Sequence, residues 1–357
     1  MRHRAAAQIK RIFTRRIKRA FFPRAAAVLL ALVLLLPLPA CDEKKPNTAT
    51  VFAMDTVMEL TVYGDESLLS GAEALILSTE RKLSVTGPAS EIYALNKSGA
   101  REVSPDTAEL IRRALGLCAE TDGALDITVY PIVRAWGFTT GEYRVPTDGE
   151  LAALLELVDH RAVKISGSTV TLPAGAMLDL GAVAKGYTSD LLAAYLRENG
   201  VKSAILNLGG NVLALGTKPD GKPWRVGIAD PSGDGNAAIL SLSDKAVITS
   251  GGYQRYFEQD GVIYQHIIDP ATGRPVDNGL ASVTIIGSEG LVCDALSTAL
   301  YVMGYEKAVE YWKNHPGFDA VFITSDGRIS ITEGLEGCFT ASGGYTEKKT
   351  EVIRRGE

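Results

Sequence analysis

The stretch LVCDALSTALYVMG, residues 291–304, reads as a helix made for an interior. Leu291, Val292, Ala295, Leu296, Ala299, Leu300, Val302 and Met303 cover most of its circumference, the pattern of a helix enclosed by other elements. One side breaks that pattern. Asp294, Ser297 and Thr298 stand at i, i+3 and i+4, so three oxygen-bearing side chains share one turn. A carboxylate inside a core is strongly disfavoured unless something meets it. The fold must therefore bury this helix and still bring a partner to Asp294.

Outward from that helix, the signals are mixed. FAMDTVMELTVYG (52–64) alternates like a strand and leads into a helix over about 66–82. Ser104-Pro105 opens a second helix with a side-chain cap and a first-turn proline, running to about Thr121. Thr147 and Glu150 make a capping box, and a helix from about Ala182 stops at Gly200. A strand-rich block fills 203–286, a helix over 305–315 follows residue 304, and Ser325-Asp326-Gly327 turns a final hairpin. Strands and helices alternate without a βαβ rhythm, which predicts an α+β fold of mixed and antiparallel sheets with packed helices.

The first 24 residues hold nine Lys or Arg and no acid, and the apolar run AAAVLLALVLLLPLPA follows, ending at Cys41. This is the plan of a signal peptide, with an uncleaved single-span anchor as the alternative, and LPAC resembles a bacterial lipobox in which Cys41 carries the lipid. The expected division is a signal peptide over 1–41, a polar linker over 42–50, a domain over 51–340 and a tail over 341–357. The chain is then expected outside the cytoplasm, anchored to a cell membrane. Removing the nine basic residues leaves 28 against 42 acidic ones, about −14, which excludes nucleic acid as a partner. Cys118, Cys293 and Cys338 are sparse and without a C-x-x-C, so neither a disulfide framework nor a thiolate metal site is expected. With four histidines in the whole chain, a metal here would be a hard cation on oxygen ligands.

Several further segments carry chemistry. MLDLGAVAKGYTSDLLAAYLRENG (177–200) runs a short apolar strand into Asp179, turns at Gly181 and launches a helix bearing Lys185. Free N–H groups at such a turn, with a lysine one turn in, would cradle a phosphate; an ordinary helix with an exposed lysine gives the same pattern. ILNLGGNVLALG (205–216) places two glycines inside a strand pattern, by default a bulge. VITSGGYQRYFEQDGVIYQHIIDPATGRPV (247–276) turns a hairpin at Asp260-Gly261 and ends at His266, placed for general-base work or simply for hydrogen bonding to the next turn. LSVTGPASEIYALN (83–96) has Ser90 as a helix cap, and TDGALDITVYPIVRAWGF (121–138) has a glycine turn and an aspartate in a strand-like run.

In this order, these segments resemble the ApbE family of flavin transferases over about residues 51–335. The resemblance rests on M-D-T, S-V-T-x-x-x-S-E-I-Y-x-L-N, G-A-L-D-I-T-V-x-P, L-D-L-G-A-V-A-K-G-Y, L-N-L-G-G-N, T-S-G-G-Y-x-R-Y-F, H-I-I-D-P-x-T-G-x-P and C-D-A-L-S-T-A-L. It implies an ApbE-type fold with an FAD cleft between lobes and a Mg²⁺-dependent FAD:protein FMN transferase. FMN would pass to a threonine or serine hydroxyl of an acceptor protein, such as a redox-pump subunit or an exported flavoprotein, with release of AMP. The resemblance implies Mg²⁺ ligands at Asp294, Thr298 and the Ala182 carbonyl, with Ser297 a weaker candidate standing where some relatives carry a carboxylate. It implies FAD contacts at Met54, Thr86, Ala124, Leu125, Asp126, Asp179, Lys185 and Ile268, and His266 as the base for the acceptor hydroxyl. Thr86 departs from the aromatic residue of many relatives. An FAD pyrophosphatase and a non-catalytic flavin-binding lipoprotein are the alternatives.

Overall fold

Residues 45–356 are described by a computed structural model. The expected signal peptide and Cys41 lie outside the described residues, as does the start of the linker.

The chain opens with a hairpin of β1 (Asn47–Ala53) and β2 (Thr56–Val62), followed by α1 (Ser67–Leu83) and α2 (Glu91–Ser98). Then come β3 (Ala100–Glu102), α3 (Pro105–Glu120), α4 (Tyr130–Ala135), α5 (Asp148–Leu155), β4 (Lys164–Ser166), β5 (Thr169–Thr171) and α6 (Gly181–Glu198). The strand-rich block supplies β6 (Ser203–Leu208), β7 (Asn211–Gly216), β8 (Trp224–Ala229), β9 (Asn236–Leu242), β10 (Lys245–Gly251), β11 (Tyr256–Gln259), β12 (Val262–Gln265) and β13 (Leu280–Gly287). The chain closes through α7 (Gly290–Met303), α8 (Tyr305–Asn314), β14 (Asp319–Thr324), β15 (Ile329–Thr332), β16 (Phe339–Ala341) and β17 (Thr350–Ile353).

Nine strands form one sheet in the order β1-β2-β6-β7-β10-β13-β14-β15-β17, antiparallel except for the parallel β15–β17 pair. The fold is α+β, as the sequence predicts. Both faces of the sheet's middle are covered, which explains runs such as SVTIIG and DAVFIT. Ile285 and Phe322 point to the helices α7 and α8, whereas their neighbours Ile286 and Val321 point to a small sheet of β8, β9 and β16. Each such fully buried side chain contributes about 1.5–3 kcal/mol.

α7 occupies the place its sequence demands. Leu291, Ala295 and Ala299 enter one core cluster, and Cys293, Leu296 and Leu300 enter another. It crosses α6 at glycines: a Cβ on Gly186 would stand 2.2 Å from the Gly290 carbonyl oxygen and 2.7 Å from Asp294 Cβ. The N-terminus of α7 is capped from α6, where the Asp190 carboxylate accepts the Gly290 and Leu291 N–H groups at 2.7 and 2.9 Å. A separate cluster of Ile132, Trp136, Phe138, Leu151, Phe257 and Ile268 makes a smaller lobe from α4, α5 and the β11–β12 hairpin.

Several expectations need correcting. The linker stops before Asn47, because β1 buries Val51 and Ala53 and pairs with β2 along its whole length. The tail is not free: β17 joins the main sheet, Ile353 is buried, and the Arg355 guanidinium lies over the Trp312 ring at 4.1 Å. Gly209-Gly210 is no bulge but the two-residue turn of the β6–β7 hairpin, with φ of 65° and 94°, a conformation glycine adopts at no steric cost. Ser104 makes no side-chain cap; its hydroxyl contacts Glu91 and Thr107 instead. The capping box at Thr147 and the cap at Ser90 are present. The strand-like run within 121–138 is a loop followed by α4, and it meets the 177–179 segment at one bridge, Val129–Met177, and where the Asp179 N–H donates to the Ile127 carbonyl at 2.8 Å.

Candidate active site

A cavity of about 480 Å³ opens between the smaller lobe and the main sheet with its helices. Met54, Thr86, Ala124, Leu125, Asp126, Asp179, Lys185, His266, Ile268 and Asp294 all line it, as do Ala182 and Thr298. Ser297 does not. It is fully buried, its hydroxyl donating to the Asp294 carbonyl at 2.9 Å and lying 2.8 Å from Ser250 Oγ. Residues separated by up to 244 positions in sequence (Met54 to Thr298) thus converge on one space.

Asp294, 4% exposed, is met on both oxygens. The Gly186 N–H donates to Oδ2 and the Asn211 carboxamide to Oδ1, each at 2.8 Å. Burial pushes its pKa up, while the Lys185 charge and these hydrogen bonds pull it back. Gly186 could approach so closely only without a side chain, so the glycine crossing of α6 and α7 is also what places Asp294. The Gly186 hydrogen is the one a regular helix turn would give to Ala182, so Asp294 competes with that carbonyl for it.

The expected cradle of free amides is mostly occupied. Gly181 N–H donates to Asp179 Oδ1 at 2.7 Å, and the Val183 and Ala184 N–H groups donate to the Leu180 carbonyl. The positive character of the cavity rests instead on side chains. Lys185 is half-buried and acts electrostatically on both Asp179 and Asp294. Arg255 lines the cavity, donates to the Phe138 carbonyl at 2.6 Å, and lies 3.9 Å from the Asp55 carboxylate. Burial raises the Asp179 pKa, against the Gly181 hydrogen bond and the Arg255 and Lys185 charges.

His266 is pinned by its main chain and ring to one acceptor: its backbone N–H and Nδ1 both meet the Arg255 carbonyl, at 3.1 and 3.0 Å. A carbonyl only accepts, so Nδ1 carries the proton and Nε2 keeps a free lone pair. Burial, reinforced by the Arg255 and Lys185 charges, lowers its pKa to about 4 against the pull of the Arg255 carbonyl. The imidazole is therefore neutral at ordinary pH and has the form a general base requires.

Other supports were not legible in the sequence. The Asp126 carboxylate accepts from Thr128 N and Oγ1, from His160 N, and pairs with His160 Nδ1 at 2.8 Å. His160 lies 34 positions away, and no local pattern points to it. The Glu80 carboxylate accepts the Met54 N–H at 2.6 Å, holding a turn in which Met54 and Asp55 both have positive φ. Asn211 had one available signal, a polar residue opening an apolar strand directly after the glycine pair. Arg255 lay inside a quoted motif without a role.

The donor set suits a hard divalent cation. Asp294 supplies a carboxylate whose two oxygens are already oriented, Thr298 a half-buried hydroxyl, and Ala182 a main-chain carbonyl. No group of three or more His, Cys, Asp or Glu among the described residues could hold a metal, so a cation here would use one carboxylate with neutral oxygens and leave positions for water and phosphate.

The family model described as the ApbE family matches residues 54–322. An FAD:protein FMN transferase of Vibrio cholerae serotype O1 is 35% identical over 297 residues, 79% of this chain and 89% of the relative. One from Treponema pallidum is 37% identical over 282 residues, 73% and 78% of the two chains. Among solved structures, an ApbE protein of Thermotoga maritima superposes with a TM-score of 0.79 at 32% identity, covering 82% of this chain and 99% of the other. The apo flavinyl transferase ApbE of Pseudomonas stutzeri gives 0.76 at 31%, covering 84% and 98%.

Proposed function

The chain belongs to the ApbE family, and from that premise we propose that it is an FAD:protein FMN transferase acting on a threonine or serine hydroxyl of an acceptor protein. One observation carries the reading: the Asp294 carboxylate, Lys185 and a neutral His266 face one cavity, so an anion site and a base share it. Mg²⁺ would rest on Asp294, Thr298 and the Ala182 carbonyl and would neutralise charge on the FAD pyrophosphate.

The chain's own groups account for the remaining work. Lys185 and Arg255 attract the pyrophosphate into a cavity on a protein that is otherwise acidic. The turn at Met54, the loop at Thr86 and the 124–126 segment hold the rest of FAD, with Asp126 fixed by Thr128 and His160. His266 Nε2 takes the acceptor hydroxyl's proton. That oxygen bonds to the phosphorus of the FMN half, the pyrophosphate P–O bond breaks, and its electron pair leaves with AMP. We further propose that residues 1–41 export the chain and that lipid on Cys41 tethers it outside the cytoplasm; the described residues hold no helix long and apolar enough to cross a membrane.

Incubating the purified protein with FAD, Mg²⁺ and a threonine-bearing acceptor peptide, followed by mass spectrometry, tests this. A peptide heavier by one FMN, with AMP released, is expected. AMP with only free FMN would make the protein a pyrophosphatase, and intact FAD would leave a flavin binder.

A further inference from the structure

Three hydroxyls lie in a row behind the candidate cation site. Thr298 Oγ1 stands 3.2 Å from Ser250 Oγ, and Ser250 Oγ stands 2.8 Å from Ser297 Oγ. Ser297 Oγ in turn donates to the Asp294 main-chain carbonyl at 2.9 Å. Thr298 and Ser250 are half-buried and line the cavity, whereas Ser297 is fully buried behind them. The row joins β10 to α7. Ala246 and Ile248 of β10 share a core cluster with Cys293, Leu296 and Leu300 of α7, so period-2 alternation along β10 brings Ser250 to the same helix.

A hydroxyl has one proton to give and lone pairs to accept with, so such a row has two possible senses. Its inner end decides between them. A carbonyl only accepts, so the Asp294 contact takes the Ser297 proton. Ser297 Oγ must then accept from Ser250, and Ser250, its proton used, must accept from Thr298. In this sense every proton has an acceptor. In the reverse sense the carbonyl contact is lost, and the Thr298 proton has no acceptor among the described residues. With its proton turned back to Ser250, Thr298 Oγ1 keeps its remaining lone pairs for the cavity, which is what a hard cation requires of an oxygen ligand.

Resting on the transferase reading above and its cation site, we propose that Ser250 and Ser297 are positioning residues for the divalent cation. The row of donated protons, from Thr298 through Ser250 and Ser297 to the Asp294 carbonyl, fixes Thr298 as a pure acceptor. Because it ends on the main chain of Asp294, it also holds the hydroxyl and the carboxylate of the site as one unit. Outer partners of this kind are worth about 10–100-fold in metal affinity or activity.

Mn²⁺ serves as the probe, its binding to the full-length protein with FAD and no acceptor being read from the loss of the free-ion signal in electron paramagnetic resonance. Ser250→Ala and Ser297→Ala should each weaken binding roughly tenfold, with transfer kcat recovered at saturating Mg²⁺. Ser297→Ala should stay folded by circular dichroism, since alanine is the best helix former. Ser250→Thr keeps the hydroxyl and should bind Mn²⁺ as the wild type does. Unchanged affinity in Ser250→Ala overturns the proposal by itself and leaves the transferase standing. A loss in Ser250→Ala without one in Ser297→Ala would make Ser250 a direct ligand and also overturns it. So does a Ser250→Thr variant as weak as Ser250→Ala, which would put packing in place of the hydroxyl. A wild type that binds no Mn²⁺ overturns the cation site together with the proposal. The transferase reading fails separately, if a threonine peptide with FAD and Mg²⁺ gains no FMN.

Discussion

His266 is neutral chiefly because burial disfavours its charged form, and secondarily because Arg255 and Lys185 oppose a third positive charge beside them. Its base form therefore persists down to about pH 4 and is lost only as pH falls through that value. Transfer kcat/KM should show no ionisation of this group near the ordinary histidine value of about 6.5; an acid limb centred there would contradict the assignment. His266→Ala should slow transfer by ~10²–10⁴-fold while FAD still binds. Asp294→Ala should abolish turnover in a protein that stays folded by circular dichroism, and full activity with Mg²⁺ in that variant would refute the metal assignment. Asp294, Thr298 and Lys185 were legible as polar residues on apolar elements, and His266 through its motif. Asn211, Arg255 and His160 were not, because each acts through a contact made only after distant strands and loops come together.

At the level of elements, the crossing of α6 and α7 sets the geometry of the site. Gly186→Ala would drive a methyl into the Gly290 carbonyl and Asp294. Overpacking of this kind is expected to cost about 1–3 kcal/mol. Urea denaturation should show that loss, and activity should fall with it because Asp294 is displaced; an unchanged denaturation midpoint would mean the helices are not in such close contact. The other helices are readable from apolar spacing, prolines and caps to within a residue or two, but α4 falls inside the 121–138 run whose sequence reads as strand-like. The glycine pair at 209–210 was misread as a bulge because two apolar strands flank it either way. Only the pairing of Leu208 with Asn211 distinguishes a turn from a bulge.

Over the whole molecule, the last residues show how charge can disguise structure. TEKKTEVIRRGE reads as a solvated tail, yet β17 closes one end of the nine-stranded sheet. Ending the chain at Lys349 removes Ile353 from the core and Arg355 from Trp312. The Ile353 burial alone is worth about 1.5–3 kcal/mol, so the truncated protein should melt several degrees lower by calorimetry; an unchanged melting temperature would show that the strand contributes nothing. The α+β class, the buried helix at 291–304 and the conflict at Asp294 were determined by the sequence alone, because side-chain periodicity and the cost of a buried charge are local facts. What meets Asp294 was decided by tertiary structure: a helix amide from α6 and an amide side chain from β7, brought together by a crossing that only glycine permits. Long-range packing, which leaves no periodic trace in the chain, made one cavity of these separate signals.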